Sequence, residues 1–574
     1  MRTLLTAIVW AGCLSAQPAD LILVNGKVHT VDPSVPAAEA VAIRGDTIVR
    51  VGSTTRVLAL RGPATRVIDL AGRGVLPGFN DAHTHFENAT QWFFEVRLID
   101  TRDEKELLRR LAEAVKRVPR GMWITATDWG AMPSWAAEKR GTALAPPTVS
   151  LAAVDALAPD HPVFLRRHDR AYFANTLALK LAGLGPLTTN PGGGRYERDA
   201  AGTLTGMMFG TAGENLEKQL PPVTRAQKQI GALGVMRELN RLGITSIQDI
   251  ARDDAVTQER TFPVFVERSH SDVAIFRALK DAGQLGVRVY AFMPLQSWQG
   301  LRSHGVTPGG GDDWLRYGAL KDYLDGSYML EPFSDNPRNS GYWTFRFGGE
   351  DVTRRNLLES DRDGFDAGIH VTGDRALHSL LDWYEEVARI NPPRDRRNRL
   401  IHAWYATPED LARAGRMKLL VDITPDQLLA DIPGTDQTVG PERAKYAFAW
   451  RTLLDAGARI SIGSDMPGLF NKQHVAALDP LENLYMAVTR RFTDGKPAAG
   501  WHPEQALTLA EAVQAYTLNP AFASREENRK GSITEGKLAD LVILSRDIFN
   551  GSPVALLQAH VDLTILGGHV VFGR

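Results

Sequence analysis

The sequence of 574 residues lacks the features that define several classes of protein. It holds one cysteine, Cys13, which lies in an apolar segment at the N-terminus. If this segment is removed, the mature chain has no thiol, so it forms no disulfide bond and offers no thiolate to a metal. A metal would then be bound through nitrogen and oxygen atoms, which suit zinc, iron and manganese.

The sequence has no excess of positive or of negative charge. The chain has 66 Lys and Arg residues against 67 Asp and Glu residues, which gives a formal net charge of -1. Because no positive field attracts phosphates, we expect neither nucleic acid nor an anionic membrane as a partner. The composition, 44% hydrophobic and 23% charged, is typical of a large globular protein with a substantial core.

The sequence has no apolar run long enough to span a membrane. The run from Leu4 to about Ala16 is too short and ends in small residues, so it predicts a secretory signal peptide within residues 1–19, cleaved after Ala16. A lipoprotein anchor at Cys13 is the less favoured alternative, because Trp10 stands where an aliphatic residue is expected. We therefore expect a periplasmic or secreted protein without a membrane span.

What the sequence does contain is a set of histidines placed after strand-like runs. The apolar stretch Gly74–Pro77 resembles the first strand of a barrel and leads into His83 and His85. Side chains two residues apart on a strand point to the same face, so both imidazoles can bind one metal ion. Taken alone, the pair is explained equally well as packing or as chance.

Three further residues of metal-binding type follow apolar runs later in the chain. They are His370, His402 and Asp465. Separately, the two histidines could be core residues with satisfied hydrogen bonds, and Asp465 could cap the next helix. Together with the first pair they indicate a metal site, because buried imidazoles and carboxylates need partners.

Several motifs accompany these residues along nearly the whole mature chain. They are Asp69–Gly72 followed by Pro77–Phe79, Lys321 with Asp325–Ser327, His370 with Gly373–Ala376, Gly463–Pro467, and Gly531–Ile533 with Gly536–Leu541. In their order and spacing they resemble the amidohydrolase superfamily, specifically its amidohydrolase-3 branch of N-substituted formamide deformylase-like metal-dependent hydrolases.

The resemblance implies a centre of two divalent metal ions, zinc before iron or manganese. It assigns His83, His85 and Asp465 to one metal and His370 and His402 to the other. Lys321 would bridge the two as an N6-carboxylated lysine, since an ammonium group has no lone pair to offer a cation. Burial beside cations lowers the pKa of such an amine and favours its reaction with carbon dioxide.

The chemistry implied by the resemblance is hydrolysis of a non-peptide carbon–nitrogen bond by a metal-activated hydroxide. The bond would be amide-like: N-acyl, N-formyl or part of a cyclic amide. Asp465 would act as the catalytic base, receiving a proton from the nucleophile and passing it to the leaving group. The substrate is expected to be a small molecule; the sequence does not identify it, nor does it indicate the oligomeric state.

Two residues are predicted to contact the substrate. Arg170 occupies a place where relatives carry a histidine, and its guanidinium would grip a carboxylate if it faced the pocket. The alternative is a solvated or structural arginine. Trp129 could line an apolar pocket, although core packing is the alternative there as well.

The order of predicted elements indicates an α/β fold, a (β/α)₈ TIM-like barrel with a small composite β-sandwich domain built from both chain ends. Helices at Glu104–Val118 and Ala226–Leu242 alternate with strands, which is typical of a parallel barrel. Thr508 and Glu511 predict a capping box for a helix over Ala510–Tyr516. The expected divisions are a sandwich over 20–75 and 526–574, a barrel over 76–525, and an insertion over about 128–222 that covers the pocket.

Two other interpretations of the sequence remain. On the same barrel, a mononuclear deaminase, esterase or isomerase would use Lys321 as a plain lysine. A non-catalytic binding protein would keep the fold without the chemistry, which the complete ligand set argues against.

Overall fold

A computed structural model describes most of the chain. The described residues are 17–92, 95–98, 101, 103–127, 129, 146–167, 170–221, 223–252, 271–325, 349–428, 435, 439–466 and 478–574. Within these ranges no helix is both long enough and apolar enough to cross a membrane.

The described strands are numbered in chain order. They are β1 (Leu21–Val24), β2 (Lys27–His29), β3 (Ala37–Ala38), β4 (Ala40–Arg44), β5 (Thr47–Gly52), β6 (Arg66–Asp69), β7 (Gly74–Pro77), β8 (Phe79–Thr84), β9 (Glu95–Arg97), β10 (Ile124–Thr127), β11 (Val163–Arg166), β12 (Ala171–Ala174), β13 (Gly194–Arg198), β14 (Leu204–Gly210), β15 (Ile244–Arg252), β16 (Ser271–Asp272), β17 (Arg288–Pro294), β18 (Leu315–Tyr323), β19 (Ala367–Val371), β20 (Arg399–His402), β21 (Leu420–Ile423), β22 (Arg459–Ile462), β23 (Leu541–Leu544), β24 (Val561–Leu566) and β25 (His569–Gly573).

The described α-helices are numbered in the same way. They are α1 (Thr54–Leu58), α2 (Phe86–Trp92), α3 (Glu104–Arg117), α4 (Leu151–Leu157), α5 (Thr176–Leu181), α6 (Thr211–Glu217), α7 (Arg225–Arg241), α8 (Val273–Asp281), α9 (Trp298–Ser303), α10 (Glu350–Arg362), α11 (Asp374–Ile390), α12 (Pro408–Arg416), α13 (Pro441–Ala444), α14 (Trp450–Ala456), α15 (Pro480–Thr489), α16 (Leu509–Ala515), α17 (Leu518–Ala523) and α18 (Val554–Gln558).

Eight parallel strands form a barrel. Their order is β8-β15-β17-β18-β19-β20-β21-β22, with helices in the connections. The last strand meets the first where the Asp465 amide donates to the His83 carbonyl at 2.8 Å and the His85 amide donates to the Met466 carbonyl at 2.7 Å. The strands are almost completely buried, as expected when helices cover the outside of a parallel barrel. The predicted TIM-like barrel is therefore confirmed.

Both chain ends contribute to two further sheets, as predicted for a sandwich. One sheet has the order β5-β4-β1-β6 and the other has the order β25-β24-β23-β7-β2-β3. The strand-like runs on either side of Gly45 and Asp46 predict a hairpin, which is confirmed because β4 and β5 pair in antiparallel fashion. The Asn25-Gly26 dipeptide between two strand-like runs predicts a second hairpin, of β1 with β2. This prediction is wrong: the chain turns at Asn25, whose φ is 57°, and places the two strands in different sheets.

The apolar stretch Gly74–Pro77 is also placed differently from the prediction. It forms β7, which pairs with β2 and β23 in the sandwich, and the barrel begins only with β8. The two strands are separated by Gly78 alone, where a Cβ atom would lie 2.2 Å from Thr245 Oγ1. Residues 74–79, which cross from β7 to β8, are all apolar and buried. The sequence pattern therefore does not mark the point at which the chain leaves one sheet for the other.

A separate sheet is inserted between α2 and α7 of the barrel. Its order is β13-β14-β12-β11-β10-β9, and it begins at Glu95, before the expected insertion boundary near residue 128. Helix α3 packs Leu107 and Leu111 in the core of this inserted unit. The helix at Glu104–Val118 was predicted correctly, but it belongs to the insertion and not to the βα alternation of the barrel.

Candidate active site

The predicted metal ligands lie at one end of the barrel. His83 belongs to β8, Lys321 to β18 and His370 to β19, while His402 is the last residue of β20. Asp465 follows β22 and His85 follows β8. Since all eight strands are parallel, these positions share the carboxyl-terminal face, which is where barrel enzymes place their active sites.

The side chains converge on Asp465. Its Oδ1 atom lies 3.3 Å from His83 Nε2 and 3.1 Å from His85 Nε2. The ring centroids of His83 and His402 are 5.3 Å apart, and those of His370 and His402 are 4.7 Å apart. The four histidines thus form one continuous group around the carboxylate.

Part of this group has the dimensions of a metal site. One ligand atom from each of His83, His402 and Asp465 lies within 4.8 Å of the others, and all three residues are buried. Among the described residues, His83 Nε2 has no aligned hydrogen-bond partner although Asp465 is close. Buried nitrogen and oxygen atoms of metal-ligating type that lie this close together fit a cation between them.

The electrostatics of the site give its ligands the protonation states that a metal requires. Burial, followed by the positive charge of Lys321, holds the pKa of His83 well below its usual value. Burial is also the main reason why the pKa of His402 falls to about 4. For Asp465, burial raises the pKa, but the contacts with His83 and His85 outweigh it and hold the pKa well below normal. At neutral pH the imidazoles of His83 and His402 are therefore neutral and the Asp465 carboxylate is ionised.

Lys321 lies within this group and is 1% exposed. Its Nζ atom is 4.4 Å from the ring centroid of Tyr323, the residue two positions along the same strand. The Tyr323 ring in turn lies 5.3 Å from the His370 ring. The Tyr323 ring thus lies next to both Lys321 and His370, and the role of Lys321 as a bridge between two metals stays a prediction.

Two of the ligands have an unusual backbone conformation. His402 has a φ of 76° and Asp465 a φ of 52°, both in the left-handed region that non-glycine residues rarely adopt. Such conformations persist only when their surroundings impose them, and they occur often in active sites. The barrel thus turns both side chains out of the regular strand geometry.

Two further carboxylates, those of Asp325 and Asp81, accept hydrogen bonds from backbone amides next to the predicted ligands. Asp325 accepts hydrogen bonds from the amides of Thr372 and Gly373, and its Oδ1 lies 3.8 Å from His370 Nε2. Asp81 Oδ1 accepts the amide of Ser464 at 2.9 Å and that of His83 at 3.2 Å. Burial raises the pKa of Asp81 to about 7. These contacts fix the turns on which the predicted ligands lie.

Sequence reasoning missed Gln427, which follows the seventh barrel strand, β21. Its Nε2 donates to Asp465 Oδ2 at 2.6 Å, and its Oε1 accepts from Trp404 Nε1 at 3.1 Å. An isolated glutamine carries no metal-ligand pattern. The one available signal was its place just after an apolar strand-like run, which is the same context that identified the histidines.

The two predicted substrate-binding residues lie on the inserted unit. Arg170 is 57% exposed and forms an ion pair with Glu214 at 2.7 Å. Trp129 is buried, donates to the Pro147 carbonyl at 3.3 Å and lines a cavity of about 720 Å³ together with Arg167. A contact of either residue with the substrate stays a prediction.

Some sequence predictions fall outside the described residues. They concern the N-terminal segment up to Ala16 with Cys13, Gly326 and Ser327 after Asp325, and Pro467 after Asp465.

Comparisons with known proteins place this geometry in context. A model of the amidohydrolase family matches residues 66–572. The chain is 28% identical over 583 residues to N-substituted formamide deformylase from Arthrobacter pascens, covering 97% of this chain and 99% of that protein. It is 29% identical over 584 residues to Protein LONG AFTER FAR-RED 3 from Arabidopsis thaliana, covering 99% of this chain and 95% of that protein.

A solved structure has the same fold. An uncharacterized metal-dependent hydrolase from Pyrococcus furiosus matches with a TM-score of 0.65 at 21% identity, covering 93% of this chain and 99% of that chain.

Proposed function

Since the chain belongs to the amidohydrolase family and is a hydrolase of carbon–nitrogen bonds, we propose that it cleaves a non-peptide, amide-like bond in a small molecule. The bond would be an N-acyl, an N-formyl or a cyclic amide. The observation that carries the proposal is the buried convergence of His83, His402 and Asp465, with neutral imidazoles beside an ionised carboxylate.

We propose that the site holds two divalent metal ions, zinc before iron or manganese. His83, His85 and Asp465 would hold one and His370 and His402 the other, with N6-carboxylated Lys321 between them. When bound, such ions lower the pKa of water and polarise a substrate carbonyl. The ligand set supports this assignment because it consists only of nitrogen and oxygen donors of the kind that zinc accepts.

Asp465 has the position of the base in this scheme. It is 3% exposed and ionised, so it is able to receive a proton from the attacking water within the pocket. As the water oxygen bonds to the carbonyl carbon and the carbon–nitrogen bond breaks, Asp465 returns this proton to the leaving nitrogen.

One observation favours a mononuclear alternative. His83, His402 and Asp465, whose ligand atoms lie within 4.8 Å of one another, are residues that the binuclear scheme assigns to different metals. In addition, Lys321 lies against the face of Tyr323, a contact suited to an ammonium group. A single metal with a plain lysine would serve a deaminase, esterase or isomerase on the same barrel.

The proposed location is the periplasm or the exterior of the cell. It is supported by the apolar N-terminal segment in the sequence. Mass spectrometry of protein expressed with its full N-terminus should find a chain that begins within residues 17–20; an intact Met1 would contradict a cleaved signal peptide.

The function is tested by assaying N-formyl, N-acyl and cyclic amides with the wild type and with Asp465→Asn. Loss of a general base typically costs about 10²–10⁴-fold in rate, and we expect a loss of at least that size. Asp455→Asn is the control, since Asp455 is 65% exposed and pairs with Arg451 at the surface. Undiminished hydrolysis by Asp465→Asn would contradict the assigned chemistry.

A further inference from the structure

Gln427 is a buried residue that hydrogen-bonds to Asp465, the proposed catalytic base. This residue is 6% exposed and lies between Trp404, 2% exposed, and Asp465, 3% exposed. Hydrogen bonds run in series from Trp404 Nε1 to Gln427 Oε1 at 3.1 Å and from Gln427 Nε2 to Asp465 Oδ2 at 2.6 Å. The three side chains come from the ends of three successive barrel strands, β20, β21 and β22.

The donor and acceptor groups of the three side chains determine the direction in which these hydrogen bonds run. An indole N–H is only a donor, so it must face the carbonyl oxygen of the Gln427 amide. The amide nitrogen then has to point towards Asp465, whose ionised carboxylate only accepts. A reversed amide would set its NH₂ group against the indole N–H and its oxygen against a carboxylate oxygen. Trp404 therefore selects the orientation in which Gln427 donates to Asp465.

The two carboxylate oxygens of Asp465 therefore have different contacts. Oδ2 is occupied by Gln427, while Oδ1 faces the Nε2 atoms of His83 and His85. The strand geometry does not supply this orientation, because Asp465 has left the strand with a φ of 52°. The hydrogen bond from Gln427 restrains the rotation of this side chain.

We propose that Gln427, oriented by Trp404, is a positioning residue that holds Asp465 with Oδ1 directed at the metal and the substrate. The inference rests on the proposed metal-dependent function and adds residues outside the ligand set to it. Partners that orient a metal ligand commonly change metal affinity or activity by about 10–100-fold when they are removed. Neither Gln427 nor Trp404 would touch the reacting atoms.

The test is a double-mutant cycle on Gln427→Leu and Trp404→Phe. Zinc affinity of the metal-free proteins is measured by calorimetric titration, and kcat and KM are measured with the zinc-loaded proteins. For Gln427→Leu we expect zinc binding about 10–100-fold weaker and a similar loss in kcat, with KM within about threefold. Trp404→Phe should show a smaller loss in the same direction.

The double variant decides the matter. If Trp404 acts through Gln427, the double variant binds zinc within about twofold of Gln427→Leu alone. Once Gln427 is replaced, no amide is left for the indole to orient, so the loss of the indole has no further effect. Losses that multiply would overturn the inference and indicate two independent packing defects. Zinc affinity unchanged in Gln427→Leu would overturn it as well.

Gln505→Leu provides a matched control for the loss of a buried glutamine. Gln505 is also 6% exposed, and it hydrogen-bonds to Thr452 away from the metal ligands. This variant should melt at a lower temperature but keep the zinc affinity of the wild type. Weaker zinc binding in this control would overturn the inference by showing that the effect is general. A wild type that binds no zinc would instead refute the proposed function, and this inference with it.

Discussion

A single carboxylate, Asp325, holds the turn that follows His370. It accepts the Thr372 amide at 3.0 Å, the Thr372 hydroxyl at 2.9 Å and the Gly373 amide at 2.6 Å. In Asp325→Asn one oxygen becomes an NH₂ group that meets these donors, so buried N–H groups lose their acceptor. We expect a loss of about 1–3 kcal/mol in the free energy of unfolding and weaker metal binding.

Denaturant titration and metal analysis check this prediction. The control is Asp160→Asn, because Asp160 is 44% exposed and pairs with an arginine that is 80% exposed. Its free energy of unfolding should change by less than about 0.5 kcal/mol. An Asp325→Asn protein as stable and as metal-rich as the wild type would contradict a role for Asp325 in holding the turn.

At the scale of elements, local sequence signals were sufficient to predict where a helix starts, but the sequence did not predict which strands pair. The capping box of Thr508 and Glu511 starts α16 as predicted, since both halves of that motif lie within four residues. The partners of β1 and β7 were predicted wrongly, because alternation and apolarity identify a strand without identifying its neighbour. The proposed metal ligands were identified from the sequence through residue type and motif. Gln427 is not of a metal-ligating residue type, and its place after a strand-like run does not predict its contacts with Asp465 and Trp404, which only the fold shows.

The same capping box makes a prediction about pH. Hydrogen bonds from Arg451 lower the pKa of Glu511 to about 2, and the distance from Arg451 Nη1 to Glu511 Oε1 is 2.9 Å. Because the folded-state pKa is depressed, the stabilisation is complete above about pH 5 and is lost as the pH falls towards 2. Glu511→Gln keeps the cap acceptor and removes the charge.

We expect Glu511→Gln to be less stable than the wild type by about 0.5–1 kcal/mol at pH 7, since the pair is partly exposed. This difference should shrink as the pH is lowered from 5 to 3. Urea unfolding at several pH values measures it. A difference that stays constant or grows with acidity would show that the charge of Glu511 is not responsible.

At the scale of the whole molecule, the barrel and the terminal sheets share a core. Val542 and Leu544 of β23 are buried in the same cluster as the barrel strands. Arg288 of β17 crosses this boundary with hydrogen bonds of 2.7 and 3.0 Å to Asp540, and both residues are nearly inaccessible to solvent. We therefore expect the barrel and the sandwich to unfold in one transition.

Arg288→Met tests this coupling. The variant leaves Asp540 buried without its cation, and the expected loss is about 3–5 kcal/mol in the free energy of unfolding. Arg354→Met is the control, because Arg354 makes a similar two-bond contact with Glu386 while being 50% exposed. Calorimetry should show one transition throughout; two separate transitions would contradict the shared core.

The most direct test of the proposed centre is the metal content per chain by elemental analysis. The wild type and Lys321→Ala would both be prepared with bicarbonate and zinc. A centre bridged by Lys321 predicts two metal ions per chain in the wild type and fewer in the variant. One ion in both proteins would contradict the bridge and support the mononuclear alternative, and no metal after reconstitution would contradict a metal site altogether.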